Sequence, residues 1–301
     1  MGIALGTEVY RVDHLRVIAR GKAHSVLERD DALDRNVRAL IEDHAGLDRA
    51  KLLTDGLNLT GFQTANLSAV LNGGSVPKDW EVGESYAEAY LAEHHQCHFP
   101  WSDRWDERKD KSSLPGCDLV GFNETFDATT NSYRFVFAEV KTSKEKKYPP
   151  GAMHRRGGLK QQIEDLKDNV EIRRTLARYI MMRARKADWL DKFEIAMSRF
   201  LEDTSDVAVY GILVRDVPPD SSDLEAPARK LGTSHPSAMH VELLAIYLPS
   251  GSITHFGTKY AKIKKPIPGV RKSPSSSDAS RKSAPVNKQP IKKAPKKNGG
   301  T

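Results

Sequence analysis

The residues of this 301-residue chain whose types and spacing could do chemistry end one apolar run, Tyr133 to Lys141 (YRFVFAEVK). Strand side chains alternate between faces, so Glu139 and Lys141 project to one side and Val140 to the other. Charged groups at the end of an otherwise apolar strand need a reason to be there. Upstream, Leu114 to Phe122 (LPGCDLVGF) reads as a second short apolar strand that follows a Pro-Gly turn and delivers one acid, Asp118. On neighbouring strands these residues bring two carboxylates and one ammonium together. Phosphodiester hydrolysis uses such a set: hard oxygen ligands for Mg²⁺, and a cation near the attacking water and the charge that develops on the phosphoryl group.

The pattern acid-x-Lys also occurs at Glu107-Arg108-Lys109, Glu145-Lys146-Lys147 and Asp165-Leu166-Lys167, all in polar or helical stretches. Only Glu139-Val140-Lys141 ends a strand that is apolar on both faces, as expected of a central strand in a parallel or mixed sheet. The competing account is an ordinary strand-end salt bridge, with Asp118 in a turn. On Asp118 and Glu139-Val140-Lys141 the chain resembles the PD-(D/E)XK phosphodiesterase superfamily, the restriction-endonuclease-like fold, across residues 79–250. Where the family's name puts Pro-Asp, this chain has Cys117-Asp118.

The resemblance implies a nuclease acting on DNA, with a role in bacterial defence or restriction. It implies Mg²⁺, with Mn²⁺ as a substitute, held by Asp118, Glu139 and the Val140 carbonyl, and Lys141 orienting or helping to deprotonate the water. Many relatives carry a glutamate on the helix before the motif strands. Glu84 fits that habit as a third carboxylate, with Glu88 one turn further as the reserve; a solvated acidic helix face is the competing reading. Some exonuclease-like relatives place a glutamine near the metal site, which points to Gln161 and Gln162. Their accompanying tyrosine is absent here, where Asp165 and Leu166 stand.

The elements that must position these residues are an α/β set. Residues 1–78 read as a mainly helical accessory region, with a strand around Val9 to Ile18 and helical patterns near Asp31 to Asp43 and Thr64 to Leu71. Asn72-Gly73-Gly74-Ser75-Val76-Pro77 breaks the pattern and marks a boundary. Residues 79–260 then form the nuclease domain, a mixed central sheet flanked by helices. A helix opens at Asp79, and Trp101 to Lys111 is a polar loop. Thr142 to Leu159 is a basic, mobile rim in which Lys144, Lys146, Lys147, Arg155 and Arg156 can meet phosphates. A helix follows from Gly158, and Ile180 to Phe200 is helical, with Met181, Met182, Trp189 and Phe193 as core. Strands Val207 to Val214 and Val241 to Leu248, joined by a polar loop, complete the sandwich. Residues 261–301, rich in Lys, Pro and Ser, read as a disordered tail.

The net charge of +7 belongs to that tail: residues 262–301 hold twelve Lys/Arg against one acid, Asp278, which leaves −4 on the preceding chain. A basic arm of this kind raises non-specific affinity for nucleic acid by counterion release. No apolar run approaches the length of a membrane span and no secretory pattern opens the sequence, so the expected location is cytoplasmic. Two cysteines, Cys97 and Cys117, fit a reducing compartment. The cluster His94-His95-Gln96-Cys97-His98 has no second Cys/His pair at finger spacing and reads as helix-end polar residues. Residues 1–78 are a candidate docking surface for a protein partner, and cutting both strands with one site per chain favours a homodimer. The rival function is a catalytically silent nucleic-acid-binding or scaffold subunit of a larger complex.

Overall fold

The computed structural model describes residues 2–43, 77–100, 116–127 and 130–263, with isolated positions between 46 and 63. Seven strands, β1 (Thr7–His14), β2 (Val17–Ala23), β3 (Cys97–His98), β4 (Leu119–Asp127), β5 (Thr130–Ser143), β6 (Val207–Arg215) and β7 (His240–Tyr247), form one sheet in the order β1-β2-β7-β6-β5-β4-β3. β2, β7, β6 and β5 run parallel to their neighbours within that group, while β1 pairs antiparallel with β2 and β3, β4 and β5 form an antiparallel meander. A strand buried on both faces must be apolar throughout, and β6 (VAVYGILVR) is buried along its whole length.

Helices α1 (Val26–Ala32), α2 (Arg38–Glu42) and α3 (Asp79–His94) precede β3. Between β5 and β6 lie α4 (Gly151–His154), α5 (Leu159–Asp168), α6 (Val170–Ala184) and α7 (Leu190–Glu202); α8 (Glu225–Gly232) precedes β7 and α9 (Ser252–Ile263) follows it. The alternation of β5 sorts them into two layers. Phe135 and Phe137 pack under Ile163 of α5, Ile180 of α6 and Phe193 of α7. Val136, Ala138 and Val140 face Val82 and Tyr86 of α3 and Ile253 of α9. The fold is therefore α/β, with a mixed sheet flanked by helices on both sides.

Several expectations change. The strand foreseen around Val9 to Ile18 is a hairpin, turned at Leu15 (φ 55°), and β2 joins β7 in the sheet. Within residues 1–78, β1 and β2 thus belong to the sheet: β2 (VIARGKA) runs parallel to β7, its parallel neighbour. At the other end, α9 crosses the expected boundary at 260. The foreseen polar loop before β7 contains α8, which buries Ala228 and Leu231. Ile180 to Phe200 is two helices, and Met181 and Met182 are 43% and 72% exposed, because the buried stripe of α6 runs through Leu176, Ala177, Ile180 and Ala184. The helix near Thr64 to Leu71, the loop Trp101 to Lys111 and the tail 264–301 lie outside the described residues. Among the described residues no helix is long and apolar enough to cross a membrane.

Candidate active site

Asp118, Glu139 and Lys141 share one face of the sheet. In the antiparallel ladder Leu119 pairs with Ala138, which sets Asp118 across from Glu139, on the same side as Phe137. Two backbone contacts hold that register at its end: Asp118 N donates to Ala138 O at 3.1 Å, and Asp118 Oδ2 accepts from Val140 N at 2.8 Å. β4 begins at Leu119, so past Ala138 the edge of β5 is served by the Asp118 side chain instead of a strand. The Val140 carbonyl lies on the same edge of the strand as the Val140 amide. Three oxygen-bearing groups and one ammonium thus meet where the sheet opens.

Glu139 is 1% exposed, so it is not half of an exposed strand-end salt bridge. Lys141 Nζ donates to its Oε1, and Lys141 itself reaches solvent. Burial, and then the Asp118 carboxylate beside it, push the Glu139 carboxyl well above the usual carboxylate range; Lys141 offsets only part of that. Glu139 Oε2 is buried with no hydrogen-bond partner. A site with two carboxylates, one lysine and an unserved oxygen is short of positive charge. Asp118, Glu139 and the Val140 carbonyl present the hard oxygen donors that suit Mg²⁺.

Close approach of the layers frames this site. Gly211 is the β6 ladder partner of Glu139, and a Cβ there would lie 2.7 Å from Leu243 Cδ2 and 3.0 Å from Ile163 Cγ1, so glycine lets α5 sit over the site. On the other face a Cβ at Gly83 would lie 1.8 Å from Thr142 Oγ1, which fixes α3 against the end of β5.

The remaining expected residues are distributed as follows. Glu84 and Glu88 stand half-buried on α3, which packs on the opposite face from Glu139. Among the described residues no three His, Cys, Asp or Glu side chains gather to hold a metal, so neither glutamate completes a three-carboxylate set with Asp118 and Glu139. Gln161 is exposed, its Oε1 accepting from Gly157 N at 3.2 Å, while Gln162 Oε1 is buried on α5 without a hydrogen-bond partner. Lys144 lies 3.7 Å from Asp79, Arg155 is 2.9 Å from Glu145, and Lys146, Lys147 and Arg156 are exposed.

Where a mobile rim was foreseen, part of the basic segment is hydrogen-bonded to the body. Buried Arg215, at the end of β6, donates to the carbonyls of Glu145 and Lys147, and Glu145 Oε2 accepts from Gly151 N at 2.7 Å. The signal was legible in kind: an arginine closing a wholly apolar strand raises the same question as Glu139. A second missed group surrounds Glu242 on β7, which Arg20, His95 and His240 approach at 3.3, 3.6 and 3.5 Å. Compared with known proteins, the chain matches no family model and no curated protein.

Proposed function

We propose that the chain is a metal-dependent phosphodiester hydrolase of the PD-(D/E)XK type, with a restriction-endonuclease-like core and DNA as its substrate. The observation that carries this reading is the cross-strand pair Asp118 and Glu139, with Lys141 on the same face and one buried Glu139 oxygen unserved. The order of α3, β4, β5 and the following helices agrees with the family's order.

Asp118, Glu139 and the Val140 carbonyl would hold Mg²⁺, which when bound supplies a polarised phosphoryl oxygen and a more acidic water. Asp118 also fixes β5 through the Val140 amide, so that ligand and strand position are set by one side chain. Lys141, partly open to solvent, can orient a water through a hydrogen bond at its Nζ, hand a proton to a leaving oxygen, and stabilise charge building beside it. Lys146, Lys147 and Arg156 stand free of the body to meet the phosphate backbone, where contacts position the substrate without reading sequence.

The test is single-turnover cleavage of duplex DNA with Mg²⁺ by Lys141→Ala. The rate is expected to fall by about 10² or more, the usual scale for an acid/base or charge-stabilising group. Mg²⁺ binding is expected to persist in Lys141→Ala and to be lost in Asp118→Ala. Wild-type cleavage by a folded Lys141→Ala sinks the assignment. A wild type that binds DNA and never cuts it with Mg²⁺ or Mn²⁺ favours the silent, scaffold alternative.

A further inference from the structure

Arg215 is fully buried, an expensive place for a guanidinium, and its hydrogen bonds show what it specifies. It lies beside Ser143 in the parallel ladder, two residues past Lys141. Nη1 meets the two oxygens of Asp223 at 2.6 and 2.7 Å. Nη2 turns the other way, to the carbonyls of Glu145 and, at 3.0 Å, Lys147. The Tyr148 ring covers the guanidinium at 4.7 Å, and its hydroxyl donates to Pro218 O at 2.7 Å. Asp223 is held in turn by the Tyr247 hydroxyl at 2.7 Å, which also meets Tyr10 OH at 2.9 Å. The carbonyls at 145 and 147 therefore point into the protein while the side chains of Lys146 and Lys147 stand in solvent.

We propose that the Arg215–Asp223 pair is a positioning device that holds the 144–148 backbone so that Lys146 and Lys147 form a preformed rim for the phosphates of a nucleic acid. This rests on the reading of Asp118, Glu139 and Lys141 as a phosphodiesterase site. A buried ion pair adds little net stability compared with apolar residues of the same volume. What it adds here is direction, since two of its donors are committed to one loop. A loop fixed before substrate arrives spares the ordering cost that binding would otherwise carry. Arg215 and Asp223 then act through the lysines, without touching substrate.

The experiment uses the full chain and the double variant Arg215→Met/Asp223→Leu, which removes both charges and leaves neither unpaired. Affinity for a fluorescent DNA duplex is measured with Ca²⁺ in place of Mg²⁺, alongside the single-turnover rate at saturating DNA with Mg²⁺. Affinity is expected to weaken about tenfold, the scale of ordering two long side chains on binding. The saturating rate should stay within about twofold, because nothing at the reacting atoms has changed. Trypsin should cut faster after Lys144, Lys146 and Lys147 in the folded variant. Should the double variant fail to fold, Tyr148→Ala uncovers the guanidinium and keeps the ion pair; the same direction of change, about threefold, is expected. Unchanged affinity, or a fall in saturating rate at unchanged affinity, overturns the proposal. A wild type that binds no DNA overturns the phosphodiesterase reading and the phosphate role together. Trypsin then still judges the clamp, and unchanged cutting overturns that part as well.

Discussion

Two buried glutamates sit on central strands of the same sheet, Glu139 on β5 at 1% exposure and Glu242 on β7 at 3%, and they project to opposite faces. Burial alone does not tell them apart, and each leaves one oxygen without a hydrogen bond. Their neighbours do. Burial pushes Glu242 up, but hydrogen bonding to His240 and the charges of His95 and Arg20 outweigh it and hold the carboxyl below its usual value. Glu139 has another carboxylate beside it and one lysine, and goes the other way. Glu242 is an acid whose charge is already answered within the protein. Glu139 is an acid whose charge is not, as the proposed metal site would require.

Exchanging each acid for its amide breaks or sharpens that comparison. Glu139→Gln is expected to lower single-turnover cleavage by about 10² or more, while Glu242→Gln changes it by no more than a few-fold, about the limit for a residue remote from the reacting atoms. Equal losses in two folded variants would remove the distinction. Stability should move in opposite directions. Glu242→Gln takes the anion from beside Arg20 and two histidines and should cost on the order of 3 kcal/mol in denaturant unfolding. Glu139→Gln in metal-free buffer at pH 8, where the wild-type carboxyl ionises, removes a charge repelled by Asp118 and offers Asp118 an amide donor, and should stabilise by about 1 kcal/mol. Added Mg²⁺ should reverse that order: at about 100 times its dissociation constant it stabilises the wild type by about 2.7 kcal/mol and leaves Glu139→Gln where it was. Melting curves with and without Mg²⁺ read both effects.

The same contrast explains how much was legible in the sequence. Glu139 could be found because alternation on an apolar strand fixes which residues share its face, and Asp118 because its own strand has to pair with that one. The sheet's interior strands were readable for the same reason. Glu242 was passed over: HVELLAIY shows an acid in an apolar strand just as YRFVFAEVK does, yet its partners Arg20 and His95 come from distant segments that only folding joins. Arg215 belongs with it, since Asp223 lies in a stretch read as loop. Glu84 poses the reverse case. Local spacing allowed it a place at the metal, and the packing of Gly83 on Thr142 puts its helix on the far face. Period and pairing are local properties of the chain, whereas the charge balance around a buried group is decided by the tertiary fold.

The smallest expected effect is the most specific to the two acids, because they tie stability to pH with opposite signs. A carboxyl raised on folding stabilises fully below its ordinary value of 4.5, and loses that contribution as pH climbs through the raised folded value. Glu139 should therefore make the metal-free protein less stable as pH rises above 4.5. Glu242, held below the same ordinary value, contributes above 4.5 and loses that contribution only as pH falls beneath it. Buried His24 and half-buried His95, both lowered by desolvation, add stability as pH rises toward 6.5 and overlap the Glu139 window. The useful quantity is thus the difference between wild type and Glu139→Gln at each pH, in which the histidines cancel. That difference should grow between pH 5 and 8 by at most about 1.4 kcal/mol per unit, the slope of one proton. Saturating Mg²⁺, which binds only the ionised carboxylate, should reverse it. Parallel stability curves for the two proteins in EDTA would mean that Glu139 is as well compensated as Glu242, and the contrast between the two faces would fall.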